Sequence, residues 1–165
     1  MQNKKLAFMT QAAMIAAVYV ALTYVFAPFS FGEIQVRVAE ALTILPVFTT
    51  AAIPGLFIGC IIGNTLGGAL IPDIIFGSLA TLIGAFFTWK LRNAKPFFAP
   101  IPPIVANALI VPFVLRYAYG VLMPIPLMML TVGIGEVLSC GVLGLALYYA
   151  LKKRKDVIFK RNHKF

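Results

Sequence analysis

Leu127-Met-Met-Leu-Thr-Val-Gly-Ile-Gly-Glu-Val-Leu-Ser-Cys-Gly-Val-Leu-Gly-Leu-Ala-Leu-Tyr-Tyr-Ala-Leu151 is a run of 25 residues with a single ionisable carboxylate, Glu136. A membrane-crossing helix needs about 20 mainly apolar residues. The run therefore predicts a span, with Glu136 two or three turns inside it. An ionised side chain at the centre of such a helix costs on the order of 2.5–3.5 kcal/mol, so it persists where a partner, water or a ligand offsets the cost. An acid in this place points to function.

The rest of the chain is of the same character. Of 165 residues 61 % are hydrophobic and 12 % charged, too little polar surface to cover a soluble globule of this size. Apolar runs separated by Pro, Gly or basic residues predict six spans, near 7–27, 34–52, 54–71, 72–90, 100–122 and 127–151. The second carries Arg37, Glu40 and Pro46, and its lower hydropathy predicts a short or kinked helix packed against its neighbours. The expected fold is an all-α, polytopic six-helix transmembrane domain over 1–151, followed by a basic tail over 152–165.

Lys4 and Lys5 precede the first span, Lys90, Arg92 and Lys95 follow the fourth, and Lys152, Lys153, Arg154, Lys155, Lys160, Arg161 and Lys164 follow the sixth. Twelve of the fourteen Lys and Arg thus fall on one side of a six-span chain. By the positive-inside rule that side is cytoplasmic, and both termini with it.

The formal charge of +9 does not imply nucleic-acid binding. Juxtamembrane Lys and Arg set topology and touch anionic lipid head groups. The first apolar segment is longer than a secretory core and Phe26-Ala-Pro is a poor cleavage site, which predicts a resident helix. Cys60 and Cys140 have no metal-ligand or CxxC spacing and read as small packing residues. No metal site is expected. The single histidine, His163, lies in the tail, and there is no phosphate loop, no H-E-x-x-H and no serine with an activating base, so an enzyme is not expected.

On this topology Glu33, Gln35, Arg37 and Glu40, Asp73, Arg116 and Glu136 all lie in the outer half. In a regular helix from Gly32, Glu33, Arg37 and Glu40 would share a face, and an ion pair of Arg37 with Glu33 or Glu40 is the simplest role for the arginine. Four carboxylates against two arginines leave a balance of minus two. Surplus carboxylate favours a cationic ligand or one rich in N–H donors. Asn64, Asn107 and Tyr117 are the neutral polar groups placed to line a cavity or bond a neighbouring helix, and Pro112 predicts a kink beside Asn107.

Gly55, Gly59, Gly63 and Gly67 recur every four residues in the third span, and Ala12, Ala16, Ala13, Ala17 and Ala21 give small-xxx-small pairs in the first. Both patterns predict close helix packing, and the alanine stripe starts where a second protein could dock.

The block Phe31-Gly-Glu-Ile-Gln-Val-Arg-Val-Ala-Glu-Ala-Leu-Thr-Ile-Leu-Pro46, the segment Gly63-Asn-Thr-Leu-Gly, the turn Pro72-Asp-Ile-Ile-Phe-Gly-Ser and the late Gly135-Glu resemble the QueT family of queuosine-precursor transporters. The likeness spans essentially the whole chain, and Glu33 falls at a variable position of the block. It implies the substrate-binding S component of an energy-coupling factor transporter, which captures 7-aminomethyl- or 7-cyano-7-deazaguanine at its outer face. It implies partnership with a membrane-embedded T component and two ATPase subunits, which hydrolyse the ATP, so that no cofactor is expected in this chain. The A-x-x-x-A docking surface of such components is matched by Ala12 with Ala16 or Ala13 with Ala17.

A deazaguanine offers a ring N–H and an exocyclic amine that one carboxylate accepts together, and the aminomethyl form adds a cation. Glu40 and Glu136 are expected to take these roles. Asn107 would read the carbonyl edge, Asp73 or Gln35 would complete the shell, and Arg37 would orient Glu40. The alternatives are an S component for another flat heterocycle or vitamin, and a small channel or structural subunit whose acids line a pore.

Overall fold

Gly55, Gly59 and Gly63 decide how the bundle is assembled. In the computed structural model, which describes residues 2–30, 36–154 and 158, these glycines lie on helix α3 (Ala52–Leu66) against helix α1 (Gln2–Val25). A Cβ added at Gly55 would stand 2.7 Å from the Ala12 carbonyl oxygen, one at Gly59 2.9 Å from Tyr19 Cβ, and one at Gly63 3.2 Å from Thr23 Oγ1. Residue numbers rise together along the two helices, so α1 and α3 are parallel. A parallel pair requires the chain between them to return across the bundle.

The return is made by Val38–Val47, after the short α2 (Ala27–Ser30), and it is a 3-10 helix of 10 residues. The sequence predicts an α-helical span over 34–52 here. The tighter winding rises about 2.0 Å per residue, so ten residues cover about 20 Å where an α-helix would cover about 15 Å. Pro46, which has no N–H to give, lies inside it. Ala39 to Pro46 are all buried, so neighbouring helices enclose the segment on every side. Arg37 precedes it in extended backbone, which removes the shared helical face expected for Arg37 and Glu40. Glu33 and Gln35 lie outside the described residues.

The remaining elements alternate in direction. Helix α4 (Ile71–Lys90) runs antiparallel to α3, with Thr81 Oγ1 3.5 Å from Cys60 Sγ and Gly77 beside Asn64. A 3-10 turn (Pro96–Phe98) leads to α5 (Ile101–Tyr117), which packs so closely on α4 that a Cβ at Gly84 would lie 2.7 Å from Pro103 Cα. Thr88 donates to the Ala99 carbonyl at 2.9 Å and closes that end. The last span is helix α6 (Ile125–Glu136), a π-helical stretch Val137–Leu143, and helix α7 (Gly144–Lys152). It runs parallel to the 3-10 helix. Thr43 meets Cys140 at 3.4 Å, Gly144 faces the Ala41 carbonyl at 3.5 Å, and Phe48 stacks on Tyr148 with ring centroids 5.2 Å apart.

Six segments thus alternate, as the apolar runs predict, and the chain is an all-helical polytopic membrane protein. Among the described residues four stretches are long and apolar enough to cross a bilayer, Lys4–Val25, Ile71–Lys90, Pro96–Tyr117 and Ile125–Lys152, while Val38–Val47 and Ala52–Leu66 are shorter. The alternation gathers Lys4, Lys5, Lys90, Arg92, Lys95, Lys152, Lys153 and Arg154 at one end. Arg37, the α3–α4 turn and the α5–α6 loop meet at the other.

Candidate functional site

The two longest segments that depart from α geometry, Val38–Val47 and Val137–Leu143, face each other, and Glu40 and Glu136 are where they meet. π-Helical turns inside α-helices are often found at functional sites because they re-aim the side chains around them. Here the turn begins just after Glu136 and carries Ser139 and Cys140. Glu40 is 0 % exposed and Glu136 2 % exposed. One carboxylate oxygen of each and the Cys140 sulfur all lie within 4.8 Å of one another.

Neutral donors hold Glu40 from one side. Tyr19, on the glycine-facing stripe of α1, donates its hydroxyl to Glu40 Oε1, and Thr81 on α4 donates to the same oxygen at 3.3 Å. The other oxygen, Oε2, has no hydrogen-bond partner among the described residues. The Glu40 carbonyl, at the crowded centre of the bundle, accepts from Thr43 at 2.6 Å and from the Cys140 thiol at 3.5 Å. That thiol also lies 3.1 Å from Glu136 Oε2. Asn107 on α5 stands beside Glu136, 3 % exposed, with an Nδ2 that makes no hydrogen bond. Pro112, expected to kink α5, is accommodated within a helix that continues to Tyr117.

A second polar layer lies towards the end where the connections meet. Asp73 is two helical turns before Thr81 on α4, about 12 Å along the axis. Its Oδ2 is 3.7 Å from Arg37 Nη2 and accepts from Tyr119 at 3.0 Å. The Tyr119 oxygen in turn accepts the Leu70 N–H at 3.1 Å. Partial burial, with the adjacent Asp73 carboxylate, raises the Tyr119 pKa above its ordinary value, so the hydroxyl stays protonated and remains a donor. The chain before the 3-10 helix, the α3–α4 turn and the α5–α6 loop each contribute a group to this one node.

The structure brings Glu40, Glu136 and Asn107 close to one another. Among the described residues Arg37 is ion-paired with Asp73, while Tyr19 and Thr81 hold Glu40; Glu33, the other partner expected for Arg37, lies outside the described residues. Arg116 takes no part, since its Nη1 donates to the Val121 carbonyl at 3.0 Å within its own loop. Tyr117 faces outward, 79 % exposed, and does not line the interior. Asn64 is buried on α3 beside Cys60, at 3.6 Å. Of the alanines, Ala12 and Ala16 are buried under the α3 glycines, whereas Ala13 and Ala17 face outward. Tyr19, Thr81, Cys140 and Tyr119 are the residues sequence reasoning missed. The signal for Tyr19 was its register, three residues after Ala16 on the stripe that meets the glycines.

Three buried carboxylates, Glu40, Asp73 and Glu136, face one buried guanidinium, Arg37, a balance of minus two among the described residues. Unpartnered acceptors on Glu40 and Asp73 accompany an unpartnered donor on Asn107. Buried polar atoms in proteins are nearly always satisfied, so this set is complementary to a small molecule rich in N–H groups with one carbonyl-like acceptor.

The family model described as QueT transporter matches residues 9–153. The chain belongs to the QueT transporter family. A protein of Lactococcus lactis subsp. cremoris, named queuosine precursor transporter QueT, is 40 % identical over 73 residues. That stretch covers 43 % of this chain and 43 % of the relative, so the match spans less than half of either length. No solved structure matches the chain. The family match covers every segment that supplies the acids, from the 3-10 helix to the π-helical turn.

Proposed function

We propose that this protein is the substrate-capture S component of an energy-coupling factor importer, taking up 7-aminomethyl- or 7-cyano-7-deazaguanine, a queuosine precursor, from outside. Family membership supports transport, and the name of the Lactococcus relative supports the substrate class. The observation that carries the reading is the unsatisfied polar set at the centre of the bundle: Glu40 Oε2 as acceptor and Asn107 Nδ2 as donor, beside Glu136. A deazaguanine edge presents a ring N–H and an exocyclic amine to one carboxylate, and its carbonyl oxygen accepts from an amide N–H. The second carboxylate meets the substituent at the 7-position, which is cationic in the aminomethyl form.

In this reading Glu40 and Glu136 bind, Asn107 reads the carbonyl edge, and Arg37 with Asp73 and Tyr119 forms the layer a ligand passes on entry. The basic end is cytoplasmic, which places both termini inside and the Asp73 node outside. The protein has no phosphate-binding loop of its own, so two ATPase subunits supply the energy through a T component. Ala13 and Ala17, outward on α1, dock that component.

Calorimetric titration of the detergent-purified protein with 7-aminomethyl-7-deazaguanine, 7-cyano-7-deazaguanine and guanine tests the reading. Tight binding of a deazaguanine is expected, weakened about 10-fold to 100-fold in Glu40→Gln or Glu136→Gln, as for loss of a hydrogen bond to a charged group. Binding of none of the three compounds overturns the substrate assignment.

A further inference from the structure

We infer that Cys140, Glu136 and Glu40 form a site for one thiophilic divalent cation of the zinc and cadmium class, which occupies the acid centre in competition with substrate. The inference rests on the preceding assignment only in the word competition; the cation site stands on its own geometry.

Three donors of two kinds converge. Cys140 Sγ is 3.1 Å from Glu136 Oε2, and a Glu40 carboxylate oxygen lies within 4.8 Å of both. Around a tetrahedral zinc ion, with Zn–S of about 2.3 Å and Zn–O of about 2.0–2.2 Å, neighbouring donors stand roughly 3.4–3.6 Å apart. The longest edge of the triad, within 4.8 Å, therefore has to contract by at most about 1.4 Å. The independent indication is Glu40: it is 0 % exposed, and its Oε2 has no hydrogen-bond partner among the described residues while Tyr19 and Thr81 hold Oε1. A buried carboxylate fixed through one oxygen keeps the other available as a ligand atom.

The donor set selects the class of cation. Thiolate is a poor ligand for magnesium or calcium, which take oxygen shells of six or more, whereas one thiolate and two carboxylates suit zinc or cadmium with a fourth position open. Binding transfers the Cys140 proton to solvent, leaving a thiolate and two carboxylates with total charge −3 against the +2 of the ion. Arg37, the nearest guanidinium, is engaged with Asp73. The π-helical turn matters here. It starts at Val137, directly after Glu136, and carries Cys140, so the two ligands share a backbone that departs from α spacing.

The purified protein carries its own control, because Cys60 is equally buried but packs against Asn64 and Thr81 away from Glu136. Cadmium chloride is titrated into the detergent-solubilised protein, following the ultraviolet thiolate-to-cadmium charge-transfer band. One equivalent is expected to develop the band in the wild type and in Cys60→Ser. The band is expected to be lost in Cys140→Ser and shifted at least about 10-fold to higher cadmium in Glu136→Gln, with unchanged far-ultraviolet circular dichroism in every variant. A band that is absent from the wild type, or that follows Cys60 instead of Cys140, overturns the cation site. Deazaguanine binding, measured by calorimetry in chelator-treated buffer, is independent of that result. A saturating deazaguanine is expected to abolish the band; a cadmium band unaffected by bound deazaguanine overturns the competition and places the substrate elsewhere.

Discussion

Replacing Gly59 by alanine adds one methyl group in the tight contact between α1 and α3, next to Tyr19. Its Cβ would stand 2.9 Å from Tyr19 Cβ and 3.1 Å from both Cα and the carbonyl oxygen of Ala16. Two of those three neighbours are backbone atoms, so α1 has to shift by several tenths of an ångström. Overpacking of this kind costs about 1–3 kcal/mol, against a gain of about 0.5–1 kcal/mol for removing a glycine from a helix interior. The net is a loss of roughly 0.5–2 kcal/mol, or about 1–8 °C in melting temperature for a chain of this size. The same shift carries Tyr19 away from Glu40 Oε1. Losing half of a hydrogen bond worth about 1.5–3 kcal/mol weakens deazaguanine binding roughly 3–12-fold. Gly133 is the matched control, since its Cβ would meet only Ala108 Cβ at 3.9 Å, an ordinary contact. Thermal unfolding in detergent and calorimetric titration read both effects. A Gly59→Ala protein as stable as the wild type and binding equally well, or a Gly133→Ala protein that loses more, refutes the argument that the α1–α3 contact positions Glu40.

Tyr119→Phe removes the hydroxyl that joins Asp73 to the Leu70 N–H, and at about 1 kcal/mol per bond it should raise ligand association and dissociation rates together by about 5-fold to 30-fold, with little change in Kd; rapid-filtration kinetics with labelled ligand would show Kd moving instead if Tyr119 touches the substrate. Arg37→Met leaves Asp73 buried without its guanidinium and should destabilise by about 3–5 kcal/mol, whereas Arg37→Met combined with Asp73→Leu should recover more than half of that loss in the same thermal assay. Ala17→Leu should leave folding and ligand binding intact and abolish co-purification with a T component, while Ala16→Leu, under the α3 glycines, should lower the melting temperature before any partner is added; equal loss of assembly and equal stability in the two variants would count against docking on the outward face.

Hydropathy and basic residues revealed the number and alternation of the segments, because lipid imposes a length and a charge rule on each one. Glu40, Glu136 and Asn107 stood out for a related reason: in a chain with five acids, a polar group inside an apolar run is conspicuous. The 3-10 geometry of Val38–Val47 was hidden. A segment enclosed on all sides has no polar face, and without one its winding leaves no period in the sequence. Tyr19 and Cys140 were hidden too. Each is ordinary in an apolar helix, and only the approach of a second helix gives it a carboxylate to meet. Arg37 was legible as a charge needing a partner, but Asp73, its partner among the described residues, lay 36 positions away on α4, and a search limited to one helical face pointed to Glu33 or Glu40.

The ten-residue return between α1 and α3 has a consequence for how the protein is made. A segment of about 20 Å that carries Glu40 and follows Arg37 is apolar but too short to span lipid by itself as it leaves the ribosome. The parallel placement of α1 and α3 cannot exist until it has crossed. Its entry into the membrane is therefore driven by helices synthesised after it, α3, α4 and the last span, which together supply the protein walls, the Thr81 hydroxyl and the Cys140 thiol that replace lipid around it. The sidedness of the early chain is fixed late, and the binding centre and the membrane topology are completed in a single assembly step.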